Sequence, residues 1–449
     1  MEHHDVVIVG AGPAGLAAAK ECSNAGVDTL LIEKDDILQP KKNWEASTLY
    51  LKDFGLDGAI VREHKVDRWV CGFGKNVSTY DMQIKGNIKR CVVDQTKLTR
   101  IMIEQGNFKI EDHTTVKSVD RTNGEVKIRT KNKEGDEDIF TKIIIDATGW
   151  SANIARTLGK NTPCEWGWVS YGGHMQDADL SMLGIDENVC LHVMCKAPTQ
   201  FGPSSCEISI YPRDSSTVDM CFTFHLLKRD IKEISPYSHL DDEKAYCKSL
   251  LSEVMPYLNE THLNNFFDQN KIHKEYYGFG KESKVREPYA DNFLMVGDSA
   301  GLAPPLYSYG LESSLVSGRL GGKIAANAIL AGNATSTYLR GYENLLEKEW
   351  LRGIWRKIIR EITIGGFIVV DDEEIFNVLL MTLSKIYEKE GSDTYCNLLQ
   401  LHNISSIQTI KYALALLRSY LVWGENYFRR SGLKKEYLDN MRRYLERRL

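Results

Sequence analysis

Asp5-Val-Val-Ile-Val-Gly-Ala-Gly-Pro-Ala-Gly-Leu-Ala-Ala-Ala-Lys20, followed by Thr29-Leu-Leu-Ile-Glu-Lys34, decides the fold. Val6 to Val9 form the continuous apolar run of a parallel strand covered on both faces. Gly10 makes the tight turn, Gly12 lets backbone amides approach a pyrophosphate, and Gly15 lets the following helix pack close to the strand. The N-terminus of that helix offers free N–H groups and a partial positive charge to phosphates. A second strand then ends in Glu33, eighteen positions after Gly15, where an acid reaches the ribose hydroxyls of an adenosine. An ordinary strand–helix turn gives no reason for an acid at that distance. The unit therefore reads as a Rossmann-like dinucleotide site.

Two later stretches extend the site. Ile143-Ile-Ile-Asp-Ala-Thr-Gly-Trp150 is an apolar strand running into small residues, a weak signal alone. Phe293-Leu-Met-Val-Gly-Asp-Ser-Ala-Gly301 is a third apolar strand, ending in Gly-Asp ahead of small residues that open a helix. Asp298 is placed to accept hydrogen bonds from ribityl hydroxyls, and it also fits a plain helix N-cap. The three signatures in this order select FAD over NAD.

With 449 residues, two or three domains are expected. A net charge of −5 gives no broad basic field, so nucleic acid is not an expected partner. The ten cysteines form no Cys-x-x-Cys pair and none sits with histidines at zinc-finger spacing, so no metal is expected and the thiols read as reduced. The first strand starts almost at Met1, leaving no room for a targeting peptide, and Ile362–Val370 is too short to span a bilayer. A cytoplasmic protein is expected.

Leu38–Asn43 reads as a loop, Ser47–Phe54 as a short helix closed by Gly55, and residues 66–92 as strands with turns at Gly72, Gly74 and Gly86. Asp94–Gln105 reads as a helix; Lys109–Val119, Glu125–Arg129 and Ile139–Ile145 read as strands, with a charged hairpin at Asn132-Lys-Glu-Gly-Asp-Glu137. Residues 164–284 are strand-like with a helix near Asp241–Met255, and the chain is helical from Gly310 onward. The expected architecture is α/β: a discontinuous FAD-binding domain (1–65, 90–160 and 285–335), a β-sheet substrate domain (66–89 and 161–284) and a C-terminal helical region (336–449).

On these motifs the chain resembles FAD-dependent oxidoreductases of the aromatic-hydroxylase fold, and within them the geranylgeranyl reductase family, which saturates isoprenoid double bonds. Val92-Val-Asp-Gln-Thr-Lys-Leu98, Arg286-Glu-Pro288 and Pro304-Pro-Leu-Tyr-Ser-Tyr-Gly-Leu311, followed by Ser317-Gly318, carry the likeness further. The resemblance implies cofactor contacts at Gly10, Gly12, Ala14, Gly15, Glu33, Lys34, Gln95, Thr148, Gly149, Gly297, Asp298, Gly301, Gly310 and Leu311. There are departures. The loop where the family often has a cysteine reads Lys42-Asn43-Trp44-Glu45-Ala46-Ser47. The aromatic stretch that lines an isoprenoid cavity is replaced by Glu207-Ile-Ser-Ile-Tyr-Pro212, with Glu207 and Ser209 where aromatics are expected. The glycine-rich run beside the flavin keeps only Gly310.

Flavin-dependent halogenases share the fold and are similar at Glu45-Ala-Ser-Thr48, Lys65 and Pro305-Leu-Tyr-Ser-Tyr-Gly310, but their paired-tryptophan motif is absent at 207–212, and Trp166 and Trp168 lie too early. Lys65 reads as a surface residue. The candidate catalytic-pocket residues are Trp44, Glu45, Tyr211, Tyr307 and Tyr309. For the aromatics core packing is the competing reading, and for Glu45 a solvated loop position. The expected activity is FAD-dependent reduction of C=C bonds in a geranylgeranyl-type lipid. The alternatives are a flavin monooxygenase or halogenase, or a flavin-binding redox sensor with a closed pocket. No second glycine-triplet unit is present for NAD(P)H, so electrons would arrive through a transient NAD(P)H site or from a protein such as ferredoxin. Residues 429–449 alternate basic and apolar positions at helical spacing. They read as a helix packed on its own domain or as a peripheral contact with an anionic membrane.

Overall fold

The computed structural model describes residues 2–39, 44–71, 78–122, 124–160, 164–199, 202–227, 266, 271–283, 287–302, 310–348, 384–389 and 391. The chain opens with β1 (Glu2–Val9), α1 (Pro13–Asn24) and β2 (Thr29–Ile32). β3 (Trp44–Ser47), α2 (Thr48–Asp53), β4 (Ile60–His64), β5 (Val66–Cys71), β6 (Ser78–Gln83), β7 (Arg90–Val93) and α3 (Gln95–Glu104) follow. Next come β8 (Lys109–Glu111), β9 (Thr115–Thr122), β10 (Glu125–Lys131), β11 (Asp136–Asp146) and α4 (Asn153–Thr157). The second half supplies β12 (Cys164–Met175), β13 (Val189–Thr199), β14 (Gly202–Pro212), β15 (Val218–Leu227), β16 (Ile272–Ser283), β17 (Tyr289–Ala290), β18 (Phe293–Met295) and the long helix α5 (Gly310–Leu330).

Three sheets organise these elements. The first runs β17-β18-β11-β1-β2-β8, with the β9–β10 hairpin joined to it through β11. β1 lies between β2 and β11 and pairs parallel with both, Val6 facing Thr29 on one side and Ile143 on the other. β18 adds in parallel beside β11, Ile144 opposite Phe293. The three apolar strands that carry the cofactor signatures are thus neighbours, and their turns share the carboxyl edge of the sheet, where open α/β sheets bind ligands. Their apolar stretches, residues 6–9, 143–145 and 293–295, are buried, and α1 and α5 pack on the sheet.

The second sheet runs β16-β12-β15-β14-β13-β5-β6 and is antiparallel except between β13 and β5. The third is β3-β7-β4. Only Lys65 separates β4 from β5, so the small sheet runs directly into the large one.

The local predictions hold where side chains supply caps. The Ser47 hydroxyl accepts from the Leu49 amide to start α2, and Asp94 accepts from the Lys97 amide to start α3. Gly55, with φ at +66°, stands just beyond α2. In the charged hairpin Asn132 Oδ1 accepts from the amides of Glu134 and Gly135. Two expectations are corrected. Lys109–Val119 is not one strand: His113 takes a left-handed φ of 51°, the chain turns there, β8 pairs with β2, and β9 pairs with β10. Trp44–Ser47 is not loop but strand β3, because β7 supplies it an antiparallel partner. The expected helix near Asp241–Met255, residues 40–43, Gly72, Gly74 and most of the 336–449 region lie outside the described residues. Among the described residues, no helix is long and apolar enough to cross a membrane.

Candidate active site

The glycine turn is closed from below by the second signature. A Cβ on Gly10, whose φ is +104°, would stand 2.4 Å from the Ala147 carbonyl oxygen, and a Cβ on Gly15 would stand 1.9 Å from the Gly10 carbonyl oxygen. Around a Cβ placed on Gly12, by contrast, nothing lies within 4 Å. The turn is sealed on the protein side and open on the other. α1 has no side-chain cap, and Pro13 sits in its first turn. Its remaining first-turn amides have no intrahelical partner and face that opening.

Glu33 is buried at the end of β2. Its Oε2 accepts from the Ala11 amide at 2.8 Å and its Oε1 from the Asp35 amide at 3.2 Å, so the acid also holds the glycine turn in place. Lys34 is exposed and stands beside Asp35. The third signature folds over α1: a Cβ on Gly297 would meet the Ala14 Cβ at 2.9 Å, and one on Gly310 would meet the Asp298 carboxylate at 3.1 Å. Asp298 is not the N-cap of the 3₁₀ turn in which it sits. Val296 takes the N-cap position of the 3₁₀ turn at Gly297–Ala300, without a side-chain bond. Gly301 takes the left-handed conformation that ends this turn, and Leu311 is buried in the first turn of α5.

Thr148 and Gly149 follow β11, and here the structure supplies a residue the motif reading passed over. Buried Asp146 accepts from the Thr148 amide and hydroxyl and from the Ala155 amide, at 3.0, 2.7 and 2.8 Å. Burial pushes its carboxyl above the usual range, and these donors oppose that. Thr148 is therefore a brace for the turn. Gln95 opens α3, which packs against α1; its buried Oε1 has no hydrogen-bond partner among the described residues. Gly10, Gly12, Ala14, Gly15, Thr148, Gly149, Gly297, Asp298 and Gly310 come together around one opening. Its sealed floor, open Gly12 face and free helix amides fit an extended dinucleotide.

Of the pocket candidates, Tyr307 and Tyr309 lie outside the described residues. Trp44 is half-buried on β3. Glu45 is not on a solvated loop: it is buried, and its Oε1 accepts from Arg90 Nε at 2.7 Å, with Arg90 Nη2 on the same oxygen. Tyr211 is buried on β14, its ring edge-on to His192 at 5.6 Å. Glu45 and Tyr211 therefore belong to one buried polar cluster between the small and large sheets. Lys65 is exposed, as expected of a surface residue.

His192 is the centre of this cluster. Its ring stacks on Trp69 at 4.1 Å, Nε2 lies 3.3 Å from Asp67 and Nδ1 lies 3.2 Å from Glu207. Burial pushes its pKa down, but bonds to Asp67 and Glu207 and the charges of Asp67 and Glu45 outweigh this and raise it to about 10. The sequence shows His192 as one histidine in a strand. Only the register, which pairs it with Ser209 and sets Glu207 on the diagonal, reveals its partners. Glu312, also missed, is fully buried near the start of α5, and its Oε1 accepts from the Ser47 amide at 2.8 Å. Burial raises its carboxyl to about 7, opposed by the Arg90 charge.

A family model described as an FAD binding domain matches residues 3–346. The chain is 25% identical over 359 residues to digeranylgeranylglycerophospholipid reductase 2 of Methanopyrus kandleri, a match that spans 77% of this chain and 83% of that one. It is 26% identical over 365 residues to a protein of the same name, numbered 1, from Methanothermobacter thermautotrophicus, spanning 77% and 82%. Among solved structures, a geranylgeranyl bacteriochlorophyll reductase-like protein from Thermoplasma acidophilum superposes with a TM-score of 0.67 at 18% identity, covering 92% of this chain and 96% of that one. A flavin-dependent brominase superposes with a TM-score of 0.66 at 15% identity, covering 93% and 98%. Likeness at these structural identities speaks for the fold alone. With the family model spanning three signatures and both large sheets, the chain belongs to the FAD-binding domain family and is an FAD-dependent oxidoreductase.

Proposed function

We propose that this oxidoreductase saturates C=C bonds of a geranylgeranyl-type or similar hydrophobic lipid. One observation carries the reading: relatives named for reducing such a lipid align over 77% of this chain. Residues 1–65, 90–160 and 285–335 form the FAD-binding part, 66–89 and 161–284 the substrate part, and 336–449 a helical region. When bound, FAD supplies reversible two-electron transfer.

The chain's own residues hold and surround it. Gly10, Gly12, Ala14 and Gly15 admit the pyrophosphate, Glu33 with Lys34 flanks the adenosine ribose, and Asp298, with Gly297 and Gly301, takes the ribityl hydroxyls. Gln95, Thr148, Gly149, Gly310 and Leu311 complete the cradle. Trp44 faces the substrate side, and Glu45 and Tyr211, in the buried cluster, position it; Tyr307 and Tyr309, outside the described residues, are the sequence's candidates for the same pocket. Glu312 stores a proton at a carboxyl raised to about 7; its Oε2 has no hydrogen-bond partner among the described residues, and it lies two positions from Gly310. An alkene offers little to polarise, so a nearby acid matters more than an oxyanion site. Reducing equivalents come from NAD(P)H at a transient site or from a protein such as ferredoxin.

Anaerobic photoreduction of the purified holoprotein, followed by mixing with a geranylgeranyl lipid, tests this. Flavin reoxidation with a mass gain of one dihydrogen per saturated bond is expected. Reoxidation only when O2 is admitted, with an oxygenated or halogenated product, overturns it in favour of the oxygen-using alternative.

A further inference from the structure

The geometry points to a buried divalent transition-metal site, suited to Zn²⁺, formed by Glu45 Oε2, Asp67 Oδ1, Cys190 Sγ and His192 Nε2. The potential donor atoms of Glu45, Cys190 and His192 lie within 4.8 Å of one another. Asp67 Oδ1 stands 3.3 Å from His192 Nε2 and 3.6 Å from Cys190 Sγ, and Glu45 Oε2 stands 4.0 Å from His192 Nε2. A tetrahedral ion with bonds of about 2.0–2.3 Å has its ligand atoms about 3.3–3.8 Å apart. The Asp67–His192 and Asp67–Cys190 spacings already fall in that range, and Glu45 Oε2 lies just beyond it from His192 Nε2. A thiolate, an imidazole and two carboxylates form a borderline donor set that suits Zn²⁺ over Mg²⁺ or Ca²⁺.

The surroundings match what such a site requires. Cys190 and His192, two apart on β13, present to the same face, and Asp67 sits opposite Cys190 in the parallel β13–β5 register. Glu45 comes from the other sheet. Both Arg90 contacts fall on Glu45 Oε1, and Oε2 of this 96%-buried side chain, 4% exposed, has no hydrogen-bond partner among the described residues. The Nδ1 of His192 lies against Glu207, the outer carboxylate that orients a metal-bound imidazole. Zn²⁺ would take Cys190 as thiolate and His192 as neutral imidazole, the forms in which these side chains ligate metals. Four protein ligands close the coordination shell, which makes the ion structural: it fastens β3, and with it Trp44, to the large sheet. Zinc-finger spacing is absent from the sequence because the ligands sit on strands from separate parts of the chain.

The test uses the FAD-loaded full chain after chelator treatment. Titration with Zn²⁺ against a chromophoric chelator should show uptake of one equivalent per chain. Zinc-edge X-ray absorption should show one sulfur at about 2.3 Å with nitrogen and oxygen at about 2.0–2.2 Å. Co²⁺ loading should give intense d–d bands to the red of oxidised flavin. Cys190→Ala should lose the sulfur scatterer, and Glu207→Gln should weaken Zn²⁺ binding about 10- to 100-fold. Uptake far below one equivalent, a first shell without sulfur in the wild-type chain, or a sulfur signal that persists in Cys190→Ala overturns the assignment. The wild-type absorption measurement decides even if Cys190→Ala does not fold. Flavin content, followed in parallel, is set by the cradle and stays high in the wild-type chain whatever the metal result.

Discussion

Gly318→Ala is expected to loosen the FAD site through the packing of two helices. α5 crosses α1 at small residues spaced four apart on both: Gly318 and Gly322 on α5 face Ala14 and Ala18 on α1. A Cβ on Gly318 would stand 2.2 Å from the Ala14 carbonyl oxygen and 2.9 Å from its Cα and carbonyl carbon. Ordinary contact begins at 3.4 Å, so the backbones must part by about 1.2 Å. No rotamer relieves the clash, because every opposing atom is backbone. Alanine favours the helix over glycine by about 1 kcal/mol, whereas overpacking costs about 1–3 kcal/mol, and the rigid partners place this site at the upper end. A net loss of about 1–2 kcal/mol follows, which lowers the melting temperature by a few degrees. Ala14 also touches the Gly297 turn, so its movement should weaken FAD binding roughly tenfold, about 1.4 kcal/mol. Fluorescence-quenching titration of the apoprotein with FAD, beside thermal melts, measures both. Lys323→Ala, exposed on the same helix, is the control and should change stability by less than about 0.5 kcal/mol. A Gly318→Ala protein that binds FAD as wild type and melts at the same temperature or higher would refute the close-packing argument.

Further outcomes follow from the buried acids and the tail. Glu312 has a folded pKa raised from 4.5 to about 7, so its stabilising contribution is complete below pH 4.5 and is lost as pH rises through about 7. That shift corresponds to about 3 kcal/mol. Urea midpoints at pH 5 and pH 8 should fall further in wild type than in Glu312→Gln, and parallel midpoints would contradict the assignment. Glu312→Gln should also slow substrate reduction while leaving photoreduction of the flavin unchanged. Asp146→Asn turns an acceptor of three bonds into a side chain whose amide opposes one N–H, which should cost about 1–3 kcal/mol by chemical denaturation; a neutral result would show that the turn braces itself otherwise. The full chain should float with anionic liposomes more than a chain lacking 429–449, and equal flotation removes the tail from membrane contact.

Legibility followed the range of the interactions. Gly10, Gly15, Glu33 and the Gly297-Asp298 turn were readable because each has a local backbone reason: a positive φ, a strand end or a helix start. The caps at Ser47 and Asp94 were readable for the same reason. The break at His113 was hidden because both halves of Lys109–Val119 look like strand, and only their different partners separate them. Thr148 was noticed as motif and Asp146 was not, although the carboxylate organises the turn.

The sequence by itself determined the cofactor and the sheet that holds it, since short-range glycine and apolar patterns dictate a strand–turn–helix unit wherever they occur. Tertiary structure alone decided the buried ring of Glu45, Asp67, Arg90, Cys190, His192 and Glu207. These residues come from five strands far apart in the chain. Only strand register sets which charges meet out of water, and in a low-dielectric interior such a meeting fixes protonation and ligand geometry.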